Sequence, residues 1–314
     1  MSQSSDVASP SVGAVRQPSK GIAARLGAYL ALTKPRVIEL LLVTTVPAMV
    51  LAAGELPSIG LVAAVLLGGG LAAGGANTLN CWVERDRDQV MKRTRRRPLP
   101  TGQIEPSHAL VFGIVLEVLA FAWLWATANL LSALLAVSAM LFYVFVYTIW
   151  LKPRSPQNIV IGGAAGAVPV LVGWAAVTGQ LAAPAWVLFA IVFCWTPPHF
   201  WALALRYRDD YAAAGIPMLP VVRGTAIAAR QILVYSVVVL AVTLVLPVVD
   251  DVGWLYIGAA VVLGSAFVAQ AFRLSRRATG ANAGAEAMRL FTFSNVYLAL
   301  LFAAVAVDTI IRSA

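Results

Sequence analysis

The sequence predicts an all-α, polytopic membrane protein, and three observations support this prediction. Of its 314 residues, 60% are hydrophobic and only 12% are charged. The apolar residues form runs of roughly 20 residues, the length that crosses a bilayer core as a helix. The basic residues fall between alternate runs. Such runs are too long for strands and lack strand alternation, so the spanning elements are predicted to be helices.

Nine apolar runs can be placed along the chain, with a break near Ala128 and Asn129 that separates the third from the fourth. The runs cover 37–54, 58–79, 107–128, 130–150, 158–178, 184–204, 226–248, 252–272 and 290–311. We therefore expect nine transmembrane helices. Residues 1–24 contain no continuous apolar segment, so they are predicted to be a disordered cytoplasmic tail rather than a signal peptide. Residues 25–314 are predicted to form one transmembrane domain.

The distribution of basic residues predicts the orientation. With the N-terminus inside, the cytoplasmic segments hold every one of the 23 Lys and Arg residues except Arg312. An eight-helix arrangement would scatter these charges over both faces, against the positive-inside rule. We therefore predict a cytoplasmic N-terminus and an external C-terminus in a bacterial inner membrane. Because the external loops are short, the chemistry is expected on the cytoplasmic side.

The remaining composition argues against other classes of protein. Cys81 and Cys194 have neither metal-ligand nor redox spacing, so disulfides are not expected. A net charge of +9 could suggest nucleic acid. However, no nucleic-acid module is recognisable, and the charge follows the membrane loops. We expect membrane lipid around the protein and no nucleic-acid partner.

The most densely charged stretch runs from Asn80 to Gly102, between the second and third apolar runs. On a continuous helix, Asn80, Glu84 and Asp88 recur at i, i+4 and i+8 and share one face. Oxygen ligands on one face, followed by a basic block, suit a divalent cation and a phosphate-bearing substrate. For the basic block alone, a solvated cytoplasmic loop is the alternative. Asp86 points off this face and would instead organise Arg93 or Arg97.

A second polar cluster follows the sixth run and contains Arg206, Asp209 and Asp210. It could be a locally neutralised loop. Two acidic clusters at one membrane face instead favour a shared magnesium site, since magnesium completes its shell with water and substrate phosphate. The predicted metal contacts are Asn80, Glu84, Asp88, Asp209 and Asp210.

Further candidate binding residues are single polar residues at the cytoplasmic ends of other runs. Lys152 ends the fourth run, and Lys34 and Arg36 precede the first. Each is either an interfacial residue that snorkels or a partner for a phosphate group. His199 lies between a proline and a phenylalanine, where it is either a hydrogen-bonded helix-end residue or a contact for a metal porphyrin.

Several of these motifs resemble one known family. Asn80-Cys-Trp-Val-Glu-Arg-Asp-Arg-Asp88, with Arg93-Thr94 and Arg97-Pro98-Leu99, resembles the first signature of the UbiA-type intramembrane prenyltransferases, in particular their heme-farnesylating branch. Similar blocks are Leu32-Thr-Lys-Pro-Arg36, Tyr147-Thr148, Leu151-Lys152, Asn158-Ile-Val-Ile-Gly-Gly163, Pro197-Pro-His-Phe-Trp-Ala-Leu-Ala204 and Asp210-Tyr211 through Pro220. The similarity covers residues 25–310. It departs at Glu84, where the family usually has Asp, and the second cluster lacks two aspartates four residues apart.

The resemblance implies a nine-helix bundle around a central cavity open to the cytoplasm. It also implies magnesium-dependent transfer of farnesyl from farnesyl diphosphate to the 2-vinyl group of heme b. The product, heme o, would serve terminal oxidases, with a downstream heme-modifying enzyme as a partner. The expected catalytic residues are Asn80, Glu84, Asp88 and Asp210. The expected substrate-binding residues are Lys34, Arg36, Arg93, Arg97, Lys152, Asn158, His199 and Arg206.

Two other functions fit part of the sequence. A UbiA-type enzyme that prenylates an aromatic quinone precursor would share the first acidic motif, but the blocks around His199 and Asn158 favour heme. An ion-coupled transporter or heme-handling membrane protein would also bind ions through acidic clusters. Transporters generally place charged sites near the midplane and show repeat symmetry, whereas the clusters here lie at one face.

Overall fold

The computed structural model describes residues 21–280 and 282–314, apart from the side chains at 37, 40 and 41. Residues 1–20 of the predicted tail lie outside this range, and Ile22 to Ala24 already belong to the first helix. The helices in chain order are α1 (Ile22–Thr33), α2 (Pro35–Ala53), α3 (Ile59–Val90), α4 (Pro106–Thr127), α5 (Leu130–Leu141, continued by a π-helix over Phe142–Leu151), α6 (Asn158–Thr178), α7 (Ala183–Arg206), α8 (Arg208–Ala213), α9 (Leu219–Val222), α10 (Gly224–Thr243), α11 (Leu246–Val249), α12 (Trp254–Arg277) and α13 (Ala283–Ser313).

Eight helices in the described part of the chain are long and apolar enough to cross a membrane. They coincide with the second to ninth predicted runs, and the break at Ala128 and Asn129 does separate two helices. The first predicted run coincides with α2. Its fully described apolar segment, Leu42–Ala53, is shorter than a membrane span. The count of nine therefore stays a prediction.

The long helices form a bundle in which helices adjacent in sequence also pack together. Each of α3 to α7 contacts the next, α7 contacts α10, α10 contacts α12, and α13 closes the ring against α2. Short connections between these helices make neighbours antiparallel. The C-terminal ends of α3, the π-helix and α7 therefore lie at the same end of the bundle. We call this end the polar end.

Small residues on α3 allow α4 to approach closely. A Cβ atom at Gly68 would lie 2.5 Å from Leu124, and one at Gly75 would lie 2.7 Å from the Glu117 carboxylate. This is the close packing of small residues that is common between membrane helices. The N-terminal half of α3 is therefore anchored in the bundle, while its last turns, from Asn77 onward, carry polar side chains to the polar end.

The π-helix sets the direction of the side chains that face α3. Its wider turns pair Lys152 N–H with Tyr147 O at 2.8 Å, and the Thr148 hydroxyl donates to Tyr143 O at 2.8 Å. Tyr143 and Tyr147 stack with their ring centroids 5.5 Å apart. Single π-helical turns occur often at functional sites. Here the wider turns bring Thr148 and Lys152 together against the polar turns of α3.

Candidate active site

The structure places Asn80, Glu84 and Asp88 on one buried face of α3. Their exposed fractions are only 2%, 4% and 3%, so these side chains do not belong to a solvated loop. Two carboxylates removed from water require compensating charge or hydrogen bonds. The basic residues that supply this compensation come from three other parts of the chain.

Two lysines contact Asn80 and Glu84 on this face. Lys152 Nζ forms an ion pair with Glu84 Oε1, and Lys34 Nζ donates to Asn80 Oδ1 at 2.7 Å. The Asn80 amide then donates to Glu84 Oε2 and to Thr148 Oγ1, each at 3.1 Å. This asparagine therefore connects both lysines, the glutamate and the π-helix in one hydrogen-bonded network.

The protonation of both lysines follows from their neighbours. Burial would by itself lower the pKa of Lys152, but the Glu84 carboxylate outweighs this effect and raises the pKa above its ordinary value. Burial and the nearby positive charge of Arg97 lower the pKa of Lys34, in spite of the attraction of Glu84. Lys152 is therefore a firmly held cation, whereas Lys34 holds its proton less tightly than an exposed lysine.

Asp88 is paired with Arg97 from the turns that follow α3. Arg97 Nη1 donates to both carboxylate oxygens of Asp88, at 2.8 and 3.0 Å, and Thr94 Oγ1 donates to Asp88 O at 3.1 Å. Burial favours a lower pKa for Arg97, but Asp88 outweighs it and raises the pKa.

The prediction that Asp86 organises Arg93 or Arg97 is wrong. Arg97 pairs with Asp88, and the Arg93 guanidinium lies over the ring of Tyr207. Asp86 is exposed, and its nearest basic partner is Arg85, at 3.9 Å. Two residues along a helix correspond to a rotation of roughly 200°, which turns Asp86 away from the face of Asp88.

In the second acidic cluster, Asp210 contacts the turns that follow α3. Its Oδ2 accepts the backbone N–H of Arg93 at 3.2 Å, and the Arg93 guanidinium lies 5.6 Å from the ring centroid of Tyr207. Arg206, the last residue of α7, and Asp209, at the start of α8, are both exposed. The five predicted metal contacts therefore do not converge as one cluster: in the described part of the chain, no three Asp, Glu, His or Cys side chains meet at one point.

The side chains at this end of the bundle still suit a magnesium site that has few protein ligands. Asn80, Glu84, Asp88 and Asp210 offer only oxygen atoms, which is the ligand type that magnesium prefers. One or two carboxylates are enough when water and substrate phosphate complete the shell. Lys152 and Arg97 neutralise the carboxylates in this structure, and the same cations suit a diphosphate.

His199 occupies a separate buried position on α7. Its ring stacks between Trp195 and Phe291, with centroid distances of 4.2 and 4.4 Å, and its Nδ1 lies 2.7 Å from Ser294 Oγ. The Ser294 hydroxyl donates its only hydrogen to Phe291 O at 2.7 Å. With that hydrogen placed on Phe291 O, Ser294 Oγ accepts from His199 Nδ1–H, and this tautomer leaves the lone pair of Nε2 for a ligand.

Comparison with known proteins identifies the family. The model of the UbiA prenyltransferase family matches residues 41–306, which is most of the chain. The chain belongs to the UbiA prenyltransferase family. The protoheme IX farnesyltransferase of Parafrankia sp. (strain EAN1pec) is 55% identical over 282 residues, covering 90% of each chain. Protoheme IX farnesyltransferase 1 of Saccharopolyspora erythraea is 55% identical over 296 residues, covering 94% of this chain and 93% of the relative.

Solved structures confirm the UbiA fold. A digeranylgeranylglyceryl phosphate synthase structure is similar with a TM-score of 0.74 at 17% identity, covering 91% of this chain and 99% of that one. A UbiA homologue from Archaeoglobus fulgidus bound to GPP and Mg2+ has a TM-score of 0.63 at 18% identity, covering 89% and 99%. The predicted all-helical, multi-pass membrane architecture is thereby confirmed.

In this UbiA chain, three of the eight predicted substrate-binding residues contact the acidic face of α3: Lys34, Arg97 and Lys152. Arg93 contacts Asp210 through its backbone N–H. Arg36 and Arg206 are exposed. Asn158 is buried at the start of α6, and its amide donates to Ser155 O at 2.6 Å. Such a bond within one turn indicates a structural contribution of Asn158 to the start of α6.

The sequence did not indicate two residues of this UbiA chain that contact predicted site residues: Thr148, which contacts Asn80, and Ser294, which contacts His199. Thr148 lies four residues before Lys152, so helical spacing could have drawn attention to it. Ser294 lies on α13, 95 residues from His199. No local pattern indicates this partner.

Beside the acidic face, a cavity of about 340 Å³ opens between α3 and the π-helix. It is lined by Val83, Asp86, Arg87, Thr148 and Ile149. Thr148 therefore both lines this cavity and accepts a hydrogen bond from Asn80. The central cavity that the family resemblance implies stays a prediction.

Proposed function

We propose that this UbiA enzyme transfers the farnesyl group of farnesyl diphosphate to the 2-vinyl group of heme b and thereby forms heme o. The observation that carries the proposal is the buried acidic face of α3 with its matched cations, Lys34, Lys152 and Arg97. A site with both signs of charge, shielded from water, suits a metal-bound diphosphate. The names of relatives with 55% identity support heme as the acceptor.

The reaction needs the diphosphate to leave. The allylic C–O bond breaks and its electron pair stays with the diphosphate, so negative charge grows on the leaving group. Lys152 and Arg97 hold their protons firmly and would stabilise this charge, with Lys34 as a third donor. Glu84 and Asp88, with Asn80 and Asp210, would hold magnesium, which supplies further charge neutralisation when bound.

The acceptor then captures the allylic cation. The terminal vinyl carbon of heme forms the new C–C bond, and water adds to the macrocycle-stabilised cation and loses a proton, which leaves a hydroxyfarnesylethyl group. No protein nucleophile is required. The apolar surroundings would shield the cation from premature hydrolysis.

His199 is proposed to contact the heme. It is held between two aromatic rings, and the tautomer that donates Nδ1–H to Ser294 leaves its Nε2 lone pair for a ligand. Neutral imidazole is a common ligand for metal ions. Because Ser294 fixes the ring orientation, His199 could contact the porphyrin iron without rearranging its own hydrogen bonds.

The proposed setting is a bacterial inner membrane with the N-terminus in the cytoplasm and the C-terminus outside. The basic residues around the acidic face support this orientation under the positive-inside rule. The polar end would then meet cytoplasmic farnesyl diphosphate. A downstream heme-modifying enzyme of terminal oxidase biogenesis is the proposed recipient of heme o.

Mass spectrometry of heme tests the assignment. We expect heme extracted from host cells that express this chain to contain the hydroxyfarnesylethyl derivative of heme b, and heme from cells without the chain to lack it. A prenylated hydroxybenzoate in place of modified heme would favour the aromatic branch of the family. Unchanged heme and quinone precursors, together with ion flux into proteoliposomes, would favour a transporter.

Replacement of Lys152 by methionine tests the diphosphate contact. The substitution keeps an unbranched side chain that is one atom shorter and removes its charge. We expect the KM for farnesyl diphosphate to rise roughly 30-fold, because one charge-assisted contact is lost, while the KM for heme stays unchanged. Steady-state kinetics in proteoliposomes measures both values.

Arg154 provides the matched control. It is exposed, two residues away, and donates to the carbonyls of Ile149 and Trp150. Arg154→Met should therefore leave both KM values unchanged. An equal rise of the two KM values in Lys152→Met would contradict a specific diphosphate contact.

A further inference from the structure

The corner between α1 and α2 has an unusual backbone. Lys34 has φ 54° and ψ 62°, and it is the only non-glycine residue with positive φ among the described residues. Pro35 follows as the first residue of α2. A residue before proline avoids the right-handed helical region, so α1 cannot continue into α2. The left-handed region is itself unfavourable for lysine, so tertiary contacts must hold the corner.

Side chains of α3 supply these contacts. Asn77 Nδ2 donates to Thr33 O at 3.0 Å, and Cys81 Sγ lies 3.9 Å from Leu32 O. Both carbonyls belong to the last turn of α1, where helix carbonyls lack an intrahelical partner. Gly74 leaves room for Thr33, because a Cβ atom there would lie 3.3 Å from the threonine side chain.

The rest of α1 packs against the bundle through one face only. Ala28 and Leu32 are its buried side chains, whereas Ile22, Leu26 and Leu30 are between 61% and 80% exposed. These three residues recur every four positions and form one outward apolar face. Leu32 packs in an apolar cluster with Cys81 of α3, and the Asn77 hydrogen bond adds the directional contact that sets the position of Thr33 O.

Asn77 and Asn80 contact the backbone next to Lys34 and the Lys34 side chain, respectively. They are three residues apart on α3, which makes them neighbours along its surface. Asn77 fixes the backbone immediately before Lys34, and Asn80 accepts from its Nζ at 2.7 Å. We propose that Asn77 is a positioning residue, which keeps the Lys34 amine at the diphosphate site through the backbone of the α1–α2 corner. This inference rests on the proposed prenyl diphosphate site but not on heme as the acceptor.

Binding of an unreactive substrate analogue tests the proposal. The probe is farnesyl S-thiolodiphosphate with magnesium, titrated into the full-length protein in nanodiscs by calorimetry. We expect Asn77→Leu and Lys34→Ala each to raise the Kd about tenfold, the effect of losing one charge-assisted contact. The double variant should bind no more weakly than Lys34→Ala alone, because Asn77 acts only through Lys34. In turnover assays of the same variants with farnesyl diphosphate, the KM for this substrate should rise, and kcat should stay within about twofold of wild type.

Asn129 provides the matched control, since its amide also donates to a backbone carbonyl of another helix, Ala175 O, at 2.6 Å. Asn129→Leu should lower the melting temperature without changing the Kd. If Asn77→Leu does not accumulate, Asn77→Ala replaces it.

An unchanged Kd for the Asn77 variant, or additive effects in the double variant, would overturn the positioning role. An unchanged Kd for Lys34→Ala would overturn both this role and the contact of Lys34 with diphosphate. Normal binding of the analogue without farnesylated heme in cells would count against the proposed acceptor alone and would leave the positioning role supported.

Discussion

Asp88→Asn is expected to lower the turnover of the enzyme about a thousandfold, since it removes a charge that stabilises the metal-bound diphosphate. The asparagine has the same shape and can still accept from Arg97, so the protein should still insert and fold. Heme o formation per mole of purified protein, measured in proteoliposomes at saturating substrates, gives the loss directly. The melting temperature of the same preparation reports whether the fold is kept.

Asp86→Asn is the control for this result. Asp86 is on the same helix and carries the same charge, but it is exposed and two residues away from the buried face. We expect its turnover to stay within about twofold of wild type. Near-normal turnover of Asp88→Asn, or equal losses in both variants, would contradict a metal site on the buried face of α3.

Removal of magnesium is expected to stop turnover completely and reversibly. In the structure, Lys152 pairs with Glu84 and Arg97 pairs with Asp88. These pairs hold the same cations that the diphosphate needs, so without a metal on the carboxylates both the substrate and the carboxylates compete for them. Excess chelator should abolish heme o formation, and added magnesium should restore it.

Calcium distinguishes metal coordination from general screening of charge. It is larger and prefers more ligands than magnesium, so the few carboxylates here should support less activity with calcium at equal concentration. Full activity in excess chelator would contradict the metal-dependent mechanism. It would leave Lys34, Lys152 and Arg97 as the only source of charge stabilisation.

Much of the fold could be predicted from the sequence because membrane helices are encoded locally. Roughly 20 apolar residues must become a helix in a bilayer, wherever they lie in the chain. The second to ninth predicted runs accordingly coincide with the eight long apolar helices in the described part of the chain. The shared face of Asn80, Glu84 and Asp88 is also local, because it follows from the period of a single helix.

The partners of these residues could not be predicted in the same way. Lys34 is 46 residues from Asn80, and Arg93 is 117 residues from Asp210. Which of several basic residues reaches a given carboxylate depends on the rotation and crossing of packed helices, and helical period does not encode either. For this reason the basic block could be associated with phosphate chemistry, while the pairing of Arg97 with Asp88 rather than Asp86 was mispredicted.

The sequence by itself therefore determined the membrane-spanning character of this protein, the approximate ends of most of its helices, and the residue types of one acidic face. Only the tertiary structure decided that this face is buried, that Lys34, Lys152 and Arg97 neutralise it, and that His199 is oriented by Ser294. The physical reason is the range of the interactions. Hydrophobic length and helical period act within one segment, whereas charge pairing in a buried site requires segments that meet only after the bundle has packed.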